Sequence, residues 1–64
     1  MAVELTAEAA ILLAALQHAK GKGQYVNFLE MMRIVSRPDR ALAELEAAGL
    51  VRRIAPRVYE AVGD

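Results

Sequence analysis

The side chains with the clearest chemistry in this sequence are its six arginines, all of which lie between residues 33 and 57. Three acidic residues share that segment, so its local charge is +3, whereas the whole chain has a net charge of zero. A guanidinium group presents a planar fork of donors that matches phosphate oxygens and the edge of guanine, which favours contact with nucleic acid. A second interpretation is that the arginines form ion pairs on solvated faces, as the i,i+4 spacing of Arg40 and Glu44 allows.

The other polar residues do not form a catalytic or metal-binding set. The chain has a single histidine, His18, and no cysteine, so the usual ligands of a zinc site are lacking. Glu4 and Glu8 are better explained as favourable charges near the start of a helix than as an acid–base pair. We therefore expect a protein that is not an enzyme and that uses no metal and no cofactor.

Residues 36–53 are typical of one short helix that leads directly into a basic strand. Ser36 is expected to cap the helix by accepting from the amide of Asp39, and Gly49 is expected to supply the left-handed residue that ends it. The apolar stripe of this helix comprises Leu42, Leu45 and Ala48, and the opposite face comprises Arg37, Arg40, Ala43 and Ala47. A helix that packs by its leucine side and exposes arginine and small residues suits a DNA groove.

Two helices are predicted upstream of this segment. Thr6 is a good N-cap for a first helix that continues to Lys20. After an extended segment at residues 24–26, Asn27 is expected to cap a second helix over residues 28–34. The residues of this region that we expect to contribute to the core are Phe28, Leu29, Met32 and Val35.

A β-hairpin is predicted downstream. Residues 50–54 and 58–62 are rich in β-branched and apolar side chains, and Pro56 interrupts them, so the two strands are joined by a short tip at residues 55–57.

This order of elements resembles the winged helix-turn-helix regulators of the MarR, ArsR and Lrp families. The resemblance extends over about residues 6–62. The residues that carry it are Leu42, Leu45, Glu46, Gly49, Leu50, Val51 and Arg53, followed by Tyr59. It implies a mainly α domain with a small β-hairpin, in which three helices are followed by a two- or three-stranded wing. This chain departs from the usual pattern in its short wing and in Glu44, which flanks the groove-facing side of the third helix.

The resemblance also implies a function, namely transcription regulation by a protein that binds double-stranded DNA with its third helix in the major groove. The residues implied at the start of that helix are Ser36, Arg37 and Arg40, and those implied on the wing are Arg52, Arg53 and Arg57. Winged helices also serve as protein-interaction modules without DNA binding, and this alternative stays open. In that case the partner protein would bind either the face of Ala43 and Ala47 or the apolar first helix.

The first helix lacks a broad polar face, which predicts that something other than its own core covers part of it. The residues that we assign to this surface are Ile11, Ala14 and Ala15. A second copy of the chain, packed about a two-fold axis, is the simplest partner. The alternative is that alanine favours the helix and its methyl groups lie in water without a partner.

The length of 64 residues predicts a single domain spanning residues 1–64 with a small core. The longest apolar run, residues 9–16, is too short to span a bilayer, and the N-terminus has no basic lead-in. We expect a cytoplasmic protein with no membrane contact.

Overall fold

The computed structural model describes residues 4–62, and the predicted domain of residues 1–64 extends beyond that range at both ends. In order along the chain, these residues form α1 (Ala7–Gly21), β1 (Val26–Asn27), α2 (Phe28–Ile34), α3 (Pro38–Ala47), β2 (Val51–Ala55) and β3 (Val58–Ala61). The strands form one antiparallel sheet in the order β1-β3-β2. The described part is thus a mixed α/β fold with three helices and a three-stranded sheet.

The start of α1 agrees with the sequence. The hydroxyl of Thr6 accepts a hydrogen bond from the amide of Ala9 at 3.3 Å, which confirms Thr6 as the N-cap. The helix ends at Gly21, one residue later than predicted, and the amide of its C-cap Lys22 donates to the carbonyl of Ala19 at 3.0 Å.

Helix α2 has the predicted bounds but not the predicted orientation. Asn27 caps it as expected, since its side-chain oxygen accepts from the amide of Glu30 at 2.9 Å. Met31 is fully buried, whereas Leu29 is 67% and Met32 55% exposed, so the prediction that Leu29 and Met32 fill the core was wrong. Met31 and Val35 lie one turn apart, and both pack in the core. With this side of α2 facing inward, Leu29 and Met32 face solvent.

Helix α3 ends as the sequence predicts. Gly49 has a φ of +73°, which only glycine adopts without strain. Its amide donates to the carbonyl of Glu46 at 3.0 Å, and the amide of Leu50 donates to the carbonyl of Leu45 at 2.9 Å. These are the two hydrogen bonds of a Schellman motif, and they turn the chain directly into β2.

The core lies between the three helices and the inner face of the sheet. Helix α1 packs against α3 and β3, and α2 closes the third side. The fully buried large side chains are Leu12, Leu16, Met31 and Leu45. Leu42 and Leu45 lie in the core, and Arg37, Arg40, Ala43 and Ala47 are exposed, so the predicted orientation of α3 is confirmed.

Candidate nucleic-acid interface

Ser36 does not cap α3, so the predicted capping arrangement was wrong. The N-cap is Arg37, and no side chain of the described residues caps the helix from that position. Pro38 takes the first helical position, which suits its fixed φ and disfavours helical backbone at the residue before it. The helix therefore begins after Arg37, and Ser36 lies one residue too early to reach the amide of Asp39.

The start of α3 is held instead by Glu8 of α1. One carboxylate oxygen of Glu8, Oε2, accepts from the amide of Arg37 at 3.0 Å and from the hydroxyl of Ser36 at 3.1 Å. A carboxylate at this position also complements the positive end of the helix dipole. Its negative charge disfavours a second anion, such as a phosphate, at this helix N-terminus.

The contact is reciprocal, because a carboxylate of α3 holds the start of α1. Glu44 accepts from the amide of Thr6 at 2.8 Å through Oε2 and from the hydroxyl of Thr6 at 3.0 Å through Oε1. Glu44 is thus directed toward α1, and its i,i+4 neighbour Arg40 is exposed. The sequence gives no signal for either contact, because the partners are 28 to 38 residues apart.

The arginines of the hairpin lie on opposite faces of the sheet. Arg52 is opposite Glu60 in the register, and its Nε donates to Oε1 of Glu60 at 2.6 Å. The Arg52 side chain stays 69% exposed, but Glu60 neutralises part of its charge. Arg53 is opposite Tyr59 and therefore projects from the other face.

Arg57 lies at the tip of the hairpin in a constrained backbone. Ala55 pairs with Val58, so Pro56 and Arg57 form a two-residue turn. Arg57 has a φ of +62°, which costs a non-glycine residue about 1–2 kcal/mol. Its carbonyl accepts from the amide of Phe28 at 2.9 Å, which ties the hairpin tip to the start of α2.

The predicted site residues thus fall into three groups. Ser36, Arg37 and Arg40 surround the start of α3, where both arginine side chains are exposed. Arg53 and Arg57 line an open groove of about 430 Å³ between α2 and the hairpin. Arg52 lies apart from both groups, in its ion pair with Glu60.

Sequence reasoning missed this groove, which we call the α2–hairpin groove. Its apolar lining comes mainly from Phe28, Leu29, Met32 and Tyr59. A signal was present in the sequence, since five of the seven residues of α2 are large and apolar, more than one face of so short a helix can bury.

The surface assigned to a second copy is partly exposed. Ile11 is 52% exposed and Ala14 is also exposed, while Ala15 is half-buried. Leu12 and Leu16 take the inward side of α1, so Ile11 has no place in the core of its own chain.

Residues 4–62 contain neither a cluster of metal-binding side chains nor a membrane-spanning helix. No group of three or more histidine, cysteine or acidic residues lies close enough there to hold a metal ion. Each helix in this range falls short of the length and apolar character that a membrane span requires.

Comparison of the chain with protein-family models, with curated proteins and with solved structures gives no significant match.

Proposed function

We propose that the protein is a winged helix-turn-helix DNA-binding domain. The order of helices and strands supports this class, as do the short connection between α2 and α3 and the hairpin that follows α3. In this proposal α3 is the recognition helix and the β2–β3 hairpin is the wing.

Within that class, we propose a transcriptional regulator that binds double-stranded DNA as a dimer. The observation that carries the proposal is the exposed position of Arg37 and Arg40 on the outward face of α3. A side chain on the first turns of a recognition helix reaches O6 and N7 of guanine in the major groove. The exposed Arg53 and Arg57 contact the phosphate backbone, and Arg52 adds less because Glu60 already pairs with it.

Duplex binding and its salt dependence test the proposal. A preferred duplex is first selected from a random library, and affinities for it and for random duplex are then measured by fluorescence anisotropy over a series of salt concentrations. Arg40→Ala should reduce the binding free energy by about 1–3 kcal/mol for the preferred duplex and by less for random duplex.

Arg57→Asn serves as the phosphate-contact variant, because asparagine tolerates the left-handed backbone at this position. This substitution should lower the affinity for all duplexes alike and reduce the magnitude of the slope of log K against log salt by about one unit. Lys22→Gln is the matched control, since it removes a positive charge outside the proposed surface. If Arg40→Ala lowered the affinity for the preferred and the random duplex equally, Arg40 would not be a base-reading residue.

A second candidate function is a protein-interaction module that does not bind DNA. It is favoured by the carboxylate of Glu8 at the start of α3, which disfavours a phosphate there, and by the zero net charge of the chain. The faces proposed for a partner are Ala43 with Ala47 and the outward side of α1. Absence of duplex binding by the wild-type protein even at low salt would reject the regulator and favour this module.

A further inference from the structure

The α2–hairpin groove is a surface distinct from the outward face of α3. Its lining comes from α2 and from the hairpin, and a hydrogen bond of 2.9 Å from the Phe28 amide to the Arg57 carbonyl joins these two elements. Because both sides are tied at this point, the groove is a preformed feature of the fold.

The groove presents large apolar side chains to solvent. Leu29 and Met32 line it, and both are more than half exposed. A small domain that leaves two such neighbours in water gains from covering them, and charged phosphate oxygens cannot supply that cover. Methionine also adapts its shape to different apolar surfaces, which suits a binding groove.

The charges around the groove are of one sign. Arg53 and Arg57 line it, and no acidic side chain of residues 4–62 does. The ion pair found in the described part of the chain joins Arg52 to Glu60, so Arg53 and Arg57 are left without an acidic partner there. An occupant that combines apolar side chains with carboxylates is therefore complementary to both features.

The shape of the groove selects the kind of occupant. Small-molecule sites enclose most of the ligand surface, whereas this groove of about 430 Å³ is partly open to solvent. An open apolar groove with charged edges matches an amphipathic helix that inserts side chains at i, i+3 and i+4. We propose that the α2–hairpin groove binds an acidic amphipathic helical segment of a partner protein. The proposal shares Arg53 and Arg57 with the proposed duplex contact, but its apolar contacts with Leu29 and Met32 are ones that the regulator does not need, so binding measured without DNA tests it separately.

Two synthetic 15-residue alanine-based peptides provide the probe. Both carry leucine at positions i, i+3, i+4 and i+7, and they differ only in having glutamate or lysine on the flanking positions. Titration into the ¹⁵N-labelled protein, followed by amide chemical shifts, should show saturable changes concentrated in α2 and the hairpin for the glutamate peptide. The lysine peptide should bind at least 10-fold more weakly.

Variants locate the contact. Leu29→Gln and Met32→Gln change exposed side chains, and each should lower the affinity for the glutamate peptide at least 5-fold. Arg53→Gln should lower that affinity about 3-fold. Ile34→Gln is the matched control, because Ile34 belongs to the same helix, is partly exposed and does not line the groove. The amide spectrum of each free variant reports whether its fold is intact.

The proposal would be overturned by equal binding of the two peptides, by shift changes that centre on α1 or α3, or by a loss of affinity with Ile34→Gln as large as that with Leu29→Gln. If the glutamate peptide produces no shift change at all in the wild-type protein, the proposal is likewise rejected.

Discussion

Glu8 and Glu44 are single residues that set how two helices meet. Each carboxylate comes from one helix and accepts two hydrogen bonds at the start of the other. Backbone amides at a helix start have no partner within the helix, so these carboxylates satisfy donors that would otherwise need water or a local cap. The position of Arg37, which is central to the proposed function, depends on one of them.

At this scale we predict that Glu44→Ala lowers the free energy of unfolding by about 1 kcal/mol, because it removes the hydrogen bonds to the amide and hydroxyl of Thr6. Glu8→Ala should have an effect of similar size, because it removes the hydrogen bonds to the Arg37 amide and the Ser36 hydroxyl. Urea denaturation measures both.

Glu46→Ala is the control for these variants, because Glu46 is exposed on the same helix as Glu44. A control loss as large as that of Glu44→Ala would show that helix charge, rather than the contact with Thr6, determines the result.

At the scale of elements, the C-terminal ends of α1 and α3 both carry a glycine but differ in the backbone conformation of that glycine. Gly49 ends α3 with a positive φ, whereas Gly21 is the last residue of α1 and has no such φ. A Cβ atom added at either position would meet no heavy atom of a neighbouring element within 4 Å, so packing against the rest of the protein plays no part in the comparison. The difference between the two glycines is therefore one of backbone conformation alone.

Gly49→Ala should lower the free energy of unfolding by about 1–2 kcal/mol, the cost of left-handed backbone for an L-residue. Gly21→Ala should leave stability unchanged or raise it by up to about 1 kcal/mol, because alanine favours helix. Thermal and urea unfolding of the pair measure the difference. The assigned role of Gly49 in ending α3 would be contradicted if both variants were as stable as the wild type.

At the scale of the whole molecule, residues 4–62 leave two apolar surfaces exposed. One is the outward side of α1 around Ile11, and the other is the α2–hairpin groove. A core drawn from three helices and a short sheet has room for only one face of each helix, so apolar side chains on the remaining faces are available for other molecules.

We predict that the outward side of α1 forms a homodimer, because a two-fold axis buries Ile11 and Ala14 against their own copies. Sedimentation equilibrium at micromolar concentration should show a dimer for the wild type. Ile11→Glu should return it to a monomer, since it places a charge in an apolar interface.

Leu29→Glu is the control for this experiment, because Leu29 is similarly exposed but lies in the groove. Loss of the dimer with Leu29→Glu but not with Ile11→Glu would move self-association to the groove. A wild type that stays monomeric at 100-fold higher concentration would contradict the dimer altogether.

The sequence by itself determined the local features of the fold. Thr6, Asn27 and Gly49 act through hydrogen bonds and backbone angles that involve near neighbours in the chain, so the predicted starts of α1 and α2 and the end of α3 agree with the structure. The spacing of Leu42 and Leu45 likewise fixed the orientation of α3, because a ten-residue helix has one clear apolar stripe.

Tertiary structure decided the features that depend on distant partners. Helix α2 carries apolar residues on several sides, so only packing selects Met31 for the core and leaves Met32 outside. The hydroxyl of Ser36 donates to Glu8 and does not cap α3 at the amide of Asp39. The reason is that Pro38 sets the start of the helix one residue later than predicted, and α1 places a carboxylate beside Ser36. Among the candidate DNA contacts, the sequence supplied the arginines, but only the strand register paired Arg52 with Glu60 and left Arg53 beside the groove. Such contacts join residues far apart in the chain, and no local preference encodes them.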